Sequence, residues 1–163
     1  MNPHDDNNRS FVETLVKLCG DRGHAAALRR WWSPATEYQA FPSLGRLGAL
    51  GDWRRSTVAA LHAVHGQQQE NGPGIGQAAL LLGDRKDGEH PYDRHFRRLL
   101  AARTPEDLQS QLHRLVKRLR NEGIALDYIR LLRDLRFWSA DEGQKVKVRW
   151  AMEFWQAPAD LVP

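Results

Sequence analysis

The chain has 163 residues, of which 41% are hydrophobic and 27% charged, a composition typical of one folded domain or of two small subdomains. No run of about eighteen apolar residues occurs, and the first residues are polar and acidic, so we expect neither a transmembrane helix nor a secretory signal. Cys19 is the only cysteine, which excludes an internal disulfide. These features predict a cytoplasmic protein with no membrane partner.

Helix signals fill the first half of the chain. Ser10 and Glu13 form a capping box, which predicts a first helix that begins there and ends at Gly20. A second helix is expected from about residue 24 to 32. It is followed by a connector rich in proline and glycine, with one short turn near residues 43–47. A third helix is predicted from about residue 52 to 65.

Two polar loops surround one short helix in the middle of the chain. Residues 66–74 are rich in glutamine and glycine and predict a mobile loop or hinge. Residues 76–82 predict a short helix, and the charged residues 83–88 predict a second loop.

The second half has stronger helix signals. The apolar spacing predicts helices from about residue 92 to 102 and from 128 to 138. Thr104 and the proline after it open a helix that runs to Gly123. A capping box of Ser139 and Glu142 predicts the start of a last helix.

No alternating strand pattern of useful length is present, so the predicted fold class is all-α. We expect two small helical bundles joined by a linker. The predicted division is an N-terminal bundle over residues 1–70, a linker with a short helix over 71–91, and a basic C-terminal bundle over 92–163.

Positive charge is concentrated in this second bundle. Residues 94–149 hold fourteen Arg or Lys residues against seven Asp or Glu, although the whole chain has a net charge of only +4. Arginine supplies 19 of the 24 cations, and its planar fork of donors matches phosphate oxygens. A helical protein with one arginine-rich half is a candidate for binding a polyanion, most simply nucleic acid.

The spacing of these cations matters more than their number. Arg114, Lys117 and Arg118 share the polar side of one predicted helix with no acid between them. Like charges at this spacing weaken a helix, which indicates an external anion. Two further clusters have helical spacing: Arg94 with Arg97 and Arg98, and Lys145 with Arg149.

Other groups have an ordinary structural interpretation beside the functional one. Arg29 and Arg30 precede Trp31 and Trp32, which could stack on bases but are more typical of core residues. On the helix over residues 128–138, Arg133 can pair with acids of its own helix and its neighbourhood, which favours an internally paired surface.

No catalytic pattern is visible. His62 and His65 are three residues apart, but no nearby cysteine or carboxylate completes a metal site. No phosphate-binding glycine loop with the required lysine occurs either. We therefore expect no catalytic residue, no metal, no cofactor and no small-molecule substrate.

The basic helices resemble a known family. The similarity is strongest over residues 93–104 and continues through residues 112–115 and 128–138, with looser agreement at residues 28–30, 44–47 and 51–53. Across residues 11–155 the chain is similar to the CasB family, the small subunit of the type I-E CRISPR surveillance complex called Cascade.

This resemblance implies a non-enzymatic role. Members have two helical bundles, lie as two copies head to tail beside other Cascade subunits, and stabilise the R-loop. Their expected partners are single-stranded DNA and the hybrid of guide RNA and target DNA. Where some relatives have a basic run, this chain has Ser139-Ala140-Asp141-Glu142, which puts a strand contact there in doubt.

Matched basic positions of the family are Arg30, Arg46, Arg94, Arg103 and Arg114, with Arg54 or Arg55 at a sixth. Together with the clusters above, the candidate nucleic-acid-binding residues are Arg29, Arg30, Arg46, Arg54, Arg55, Arg94, Arg97, Arg98, Arg103, Arg114, Lys117, Arg118, Lys145 and Arg149.

Two rival functions remain open at this point. The first is a protein-interaction adaptor whose basic face meets an acidic partner. The second is a small hydrolase or nuclease that uses His62 and His65, which would require metal-dependent turnover.

Overall fold

A computed structural model describes residues 3–138 and 142–156 of the chain. Its α-helices are α1 (Pro3–Cys19), α2 (Arg22–Arg29), α3 (Phe41–Arg46), α4 (Trp53–His65), α5 (Ile75–Leu80), α6 (Asp93–Leu100), α7 (Pro105–Glu122), α8 (Tyr128–Trp138) and α9 (Gly143–Phe154). Two 3-10 helices, Arg30–Trp32 and Glu37–Ala40, lie between α2 and α3. Within these residues extended pairing is limited to two isolated bridges, which confirms the predicted all-α class.

Helix ends that carry strong capping residues lie where the sequence predicts. The Thr104 side chain accepts a hydrogen bond from the Asp107 N–H at 3.1 Å and begins α7, and Gly123 ends it with φ 69°. Asp52 accepts from two backbone N–H groups at the start of α4, and Gly66 ends that helix with φ 73°.

The predicted start of the first helix is wrong. α1 begins at Pro3, and Ser10 lies inside it, where its carbonyl accepts a hydrogen bond from Thr14 Oγ1 at 2.8 Å. Asp5 and Asp6 occupy the first turn, where carboxylates interact favourably with the helix dipole, so the helix extends through the apparent capping box.

Side-chain capping differs between the starts of α2 and α9. Asp21 accepts hydrogen bonds from Gly23 N and His24 N and so begins α2 at Arg22, slightly before the predicted residue. Of the predicted capping box before α9, Ser139 lies outside the described residues, and the Glu142 side chain makes no capping bond.

α4 is the central helix of the core. Nine of its thirteen residues are buried, and it packs against α2, α7 and α8. α1 also packs on α8, so helices from both halves of the chain share one apolar core. The division of the chain into two bundles around residues 71–91 stays a prediction.

α5 and α9 approach each other closely because a glycine faces the contact. A Cβ atom added at Gly76 would lie 2.2 Å from the backbone oxygen of Trp150 and 2.7 Å from Glu153 Cβ. Only a residue without a side chain fits between the two helices at this point.

The polar segment after α4 contains a run of three glutamines, Gln67–Gln69, here called the glutamine segment. Leu126 N donates to Gln67 O at 3.0 Å, and Gln69 N donates to Leu126 O at 3.1 Å. The Gln68 side chain accepts from the Tyr128 N–H at 2.6 Å. The segment forms no helix, as predicted, but it is bonded to the start of α8 and is not a free hinge.

None of the helices in residues 3–138 and 142–156 has the length and apolar character needed to cross a membrane.

Candidate nucleic-acid interface

Four arginines on α6 and α7 form the most concentrated positive surface that sequence and structure agree on. Arg94 and Arg98 are exposed one turn apart on α6, and Arg114 and Arg118 are exposed one turn apart on α7. The two helices pack against each other. Among the described residues none of these four side chains has an ion pair or hydrogen bond. We call this set the arginine cluster.

The pKa of His95 responds to all four arginines of the cluster. Its ring lies on α6 between Arg94 and Arg98, and its pKa is lowered below the ordinary histidine value. Partial burial is the largest cause, followed by the positive charges of all four arginines. Cations from two helices therefore affect the same imidazole, which together with the packing of α6 on α7 places the four arginines on neighbouring surfaces.

Besides Arg55, whose Nε lies 3.9 Å from Asp52 Oδ2, three of the predicted contact residues are held by acids of the chain. Arg97 Nε lies 2.9 Å from Asp93 Oδ1, its pKa is raised by that pairing, and its guanidinium lies 5.1 Å from the Trp155 ring. Lys145 Nζ lies 2.9 Å from a carboxylate oxygen of Glu142. The third is Arg149, which forms an ion pair with Asp134.

The pairing around α8 runs between helices and not along one helix. Asp134 is buried and accepts hydrogen bonds from Arg149 and from Trp150 Nε1, the latter at 2.9 Å. Arg130 Nη2 lies 2.7 Å from Glu153 Oε1. Burial raises the pKa of Glu153, and the charge of Arg130 opposes the shift. A cavity of about 510 Å³ between α8 and α9 is lined by Asp134, Arg149 and Arg130, so its positive charge is largely balanced.

A second group of cations, Lys117 and Arg120, lies further around the exposed side of α7 from Arg114. Trp32 stacks on His113 with ring centres 4.0 Å apart, and its Nε1 donates to Ala60 O at 3.0 Å. Burial lowers the pKa of His113 to about 4, with smaller contributions from Lys117 and Arg120. The stack brings the 3-10 helix Arg30–Trp32 against α7, beside these two cations.

The arginines next to this stack differ in their contacts. Arg29 Nη1 donates to the backbone oxygen of Ala63 at 3.1 Å. Arg30 is exposed and its side chain has no bonded partner in the described part of the chain. Sequence analysis missed Arg120, although its position three residues after Lys117 and seven after His113 places it on their side of α7.

Trp31 and Trp32 are half-buried and pack against the core, as the structural interpretation predicts. Trp150 and Trp138 are buried core residues, and Trp53 is half-buried. The tryptophans therefore contribute mainly to the fold.

The remaining predicted contact residues lie in separate places. The Arg54 guanidinium lies 5.6 Å from the Trp53 ring centre, and that of Arg55 lies 5.0 Å from the Phe11 ring centre. Both line a small cavity of about 160 Å³ together with Arg136, a cation that sequence analysis did not select.

Arg46 ends α3. The pKa of Asp21 is lowered mainly by two backbone hydrogen bonds to its carboxylate, and the charge of Arg46 makes a smaller contribution in the same direction. Arg103 lines a cavity of about 420 Å³ with Lys147, whose Nζ donates to Ala102 O at 2.9 Å. The structure thus distributes the fourteen predicted residues over several surfaces and concentrates unpaired charge on α6 and α7.

The two histidines of α4 are buried inside the protein. Burial lowers the pKa of His62 to about 4. His65 bonds through Nδ1 to Tyr128 Oη at 2.8 Å and through Nε2 to Ile124 O at 2.7 Å, so both ring nitrogens have partners. In the described ranges no three His, Cys, Asp or Glu residues are placed to hold a metal ion.

Comparison with known proteins gives a consistent result. The family model described as "CRISPR-associated protein Cse2" matches residues 24–155, which is most of the chain. No curated protein sequence matches.

Solved structures with the same fold come from two bacteria. A CRISPR-associated protein of the Cse2 family from Thermus thermophilus is 28% identical, covers 96% of this chain and 100% of its own, and has a TM-score of 0.73. A structure named CasB from the same species is 27% identical, covers the same shares and has a TM-score of 0.72.

CasB from Thermobifida fusca is 23% identical over 93% of this chain and 94% of its own, with a TM-score of 0.69, and supports the fold alone. The family predicted from the basic helices is confirmed. The chain belongs to the CRISPR-associated Cse2 family, to which CasB proteins belong.

Proposed function

We propose that this protein is a non-catalytic subunit of the Cascade complex, lying beside other subunits and a second copy of itself. In this role it stabilises the R-loop by binding the phosphate backbone of single-stranded DNA and of the hybrid between guide RNA and target DNA. The observation that carries the proposal is the arginine cluster, whose four exposed side chains make no ion pair within the described residues and all lower the pKa of His95.

Unbalanced arginines at helical spacing favour an external anion. Arg94 repels Arg98 across one turn, and Arg114 repels Arg118 in the same way, which costs each helix a few tenths of a kcal/mol. A phosphodiester backbone removes both repulsions and accepts the paired donors of each guanidinium. Such contacts release counterions and do not read base sequence.

Cations on the exposed side of α7 extend the positive surface beyond the arginine cluster. At about 100° per residue, Arg118, Arg114, Lys117 and Arg120 occupy one continuous arc of the helix. The arc connects the arginine cluster to the stack of Trp32 on His113 and to Arg30 beyond it. A nucleic-acid backbone that crosses α7 would meet cations on both sides.

A modest electrostatic contribution is enough for the proposed role. Exchange of a DNA duplex for an RNA–DNA hybrid is nearly balanced in free energy, so protein contacts to the displaced strand and to the hybrid backbone shift the balance. No base-reading group and no catalytic group is required.

The test compares unpaired with paired cations at equal change of net charge. The variant Arg114→Gln with Arg118→Gln should weaken binding of a single-stranded oligonucleotide by more than about tenfold at low salt. The control, Arg97→Gln with Lys145→Gln, removes two cations that already have acids. It should weaken binding by less than about threefold.

Equal losses in the two variants would contradict a defined site on α6 and α7. Absence of nucleic-acid binding, together with tight capture by a purified acidic protein, would favour the adaptor function instead. Neither outcome is expected if the arginine cluster holds phosphate.

A further inference from the structure

Arginines of the arginine cluster affect two described titratable side chains, His95 and Tyr92. Burial raises the pKa of Tyr92 to about 12, which leaves His95 as the group that can titrate near neutral pH. Its Nδ1 atom is enclosed by protein and has no hydrogen-bond partner. Its ring centre lies 5.2 Å from that of Tyr92, at an angle of 43°. The Nε2 atom is not enclosed and makes no hydrogen bond within the described residues, so it is the ring atom left for a ligand.

Charged groups face His95 from both sides. Four arginines from α6 and α7 act on the ring and oppose its protonation. His95 also lines a cavity of about 830 Å³ together with Arg94 and Arg98 of the arginine cluster. The segment before α6 and the start of that helix line the same cavity through Asp84, Lys86, Glu89 and Asp93. Asp93 is occupied by Arg97, and the net effect on His95 is that of the cations.

This inference rests on the proposed function. We propose that His95 is a fifth phosphate-contacting side chain of the arginine cluster, and that it takes up a proton when a polyanion binds. A phosphate bound beside Arg94 and Arg98, which share a cavity with His95, offsets the positive charge that now disfavours the imidazolium ion. It also supplies an acceptor for the Nε2–H group.

Proton uptake on binding has a necessary counterpart. Because the two equilibria are linked, an anion that raises the pKa of His95 must itself bind more tightly as the pH falls. Each unit by which that pKa rises adds up to about tenfold in affinity at a pH below both values. Arginines cannot produce this effect, since they stay charged throughout the range.

The first experiment measures affinity for a short single-stranded oligothymidylate at constant ionic strength between about pH 8 and about pH 6, a range that brackets histidine titration. Thymine does not titrate there. The wild-type affinity should rise by more than about threefold relative to that of His95→Gln, which keeps a donor but cannot take up a proton. Parallel pH profiles would overturn the proposal.

The second experiment uses the wild-type protein alone and so does not depend on how the variant folds. The ring protons of His95 are followed by NMR as a function of pH, with and without the oligothymidylate. A higher pKa in the complex is expected, and an unchanged pKa in a saturated complex would overturn this inference but leave the proposed function intact. No binding at any pH would overturn both.

Discussion

The buried His62 side chain of α4 makes the stability of this protein depend on pH. His62 is 3% exposed, its Nδ1 atom has no hydrogen-bond partner, and burial lowers its pKa from 6.5 to about 4. The unfolded chain therefore binds a proton at His62 below about pH 6.5, whereas the folded chain does so only near pH 4. The free energy of folding that depends on an uncharged His62 is therefore fully present above about pH 6.5. It is lost as the pH falls from about 6.5 to about 4.

These values set the size of the effect. At about pH 5 the proton-binding difference costs the folded state about 2 kcal/mol, out of the roughly 5–15 kcal/mol typical of a whole domain. The variant His62→Leu removes the titrating group without leaving an unpaired polar atom. Between about pH 7.5 and about pH 5, we expect it to lose about 2 kcal/mol less unfolding free energy than the wild type.

Urea denaturation followed by circular dichroism at the two pH values measures both losses. His65, whose pKa is also lowered by burial, is present in both proteins and contributes a common background. Equal losses in wild type and His62→Leu would refute the assignment of this pH dependence to His62.

Further predictions concern packing and charge. Gly76→Ala should lower the free energy of unfolding by about 1–3 kcal/mol in chemical denaturation, because the new methyl group would overlap the Trp150 carbonyl. Asp134→Ala should cost about 1–3 kcal/mol in the same assay, since it leaves the buried Trp150 Nε1–H without an acceptor. For binding to single-stranded DNA, Arg114→Gln with Arg118→Gln should reduce the slope of log affinity against log salt by about 1.4; an unchanged slope would contradict phosphate contacts there.

Helix boundaries could be predicted from the sequence where no neighbouring residue gives a conflicting start or stop signal. Thr104 with Pro105 starts α7 and Gly123 ends it, because a side-chain acceptor, a fixed φ and a positive φ each act locally. Ser10 fails as a start signal because the acidic residues before it extend α1 to Pro3. Local chemistry therefore predicted most helices, and competition between two local signals accounts for the error.

In the candidate site, features that depend on one helix could be predicted from the sequence, and contacts between helices could not. The unpaired state of Arg114 and Arg118 follows from spacing within one helix, and the structure gives both no acid partner among its described residues. The pairing of Arg149 with Asp134 joins α8 to α9, and the convergence of Arg94 with α7 joins α6 to α7. Such contacts depend on helix packing, which one-dimensional spacing does not contain.

A tract of repeated glutamines usually marks a spacer that tolerates replacement. In this protein the backbone of Gln67 and Gln69 forms hydrogen bonds with Leu126. The Gln68 amide oxygen accepts from the Tyr128 N–H, which lies in the first turn of α8 and has no carbonyl partner within that helix. Replacing the three glutamines by glycine and serine would keep the length of the segment but remove the Gln68 amide oxygen as an acceptor. The glutamine segment therefore joins the two halves of the chain through its hydrogen bonds to Leu126 and Tyr128. The fold requires these hydrogen-bonding groups and not merely a linker of the same length.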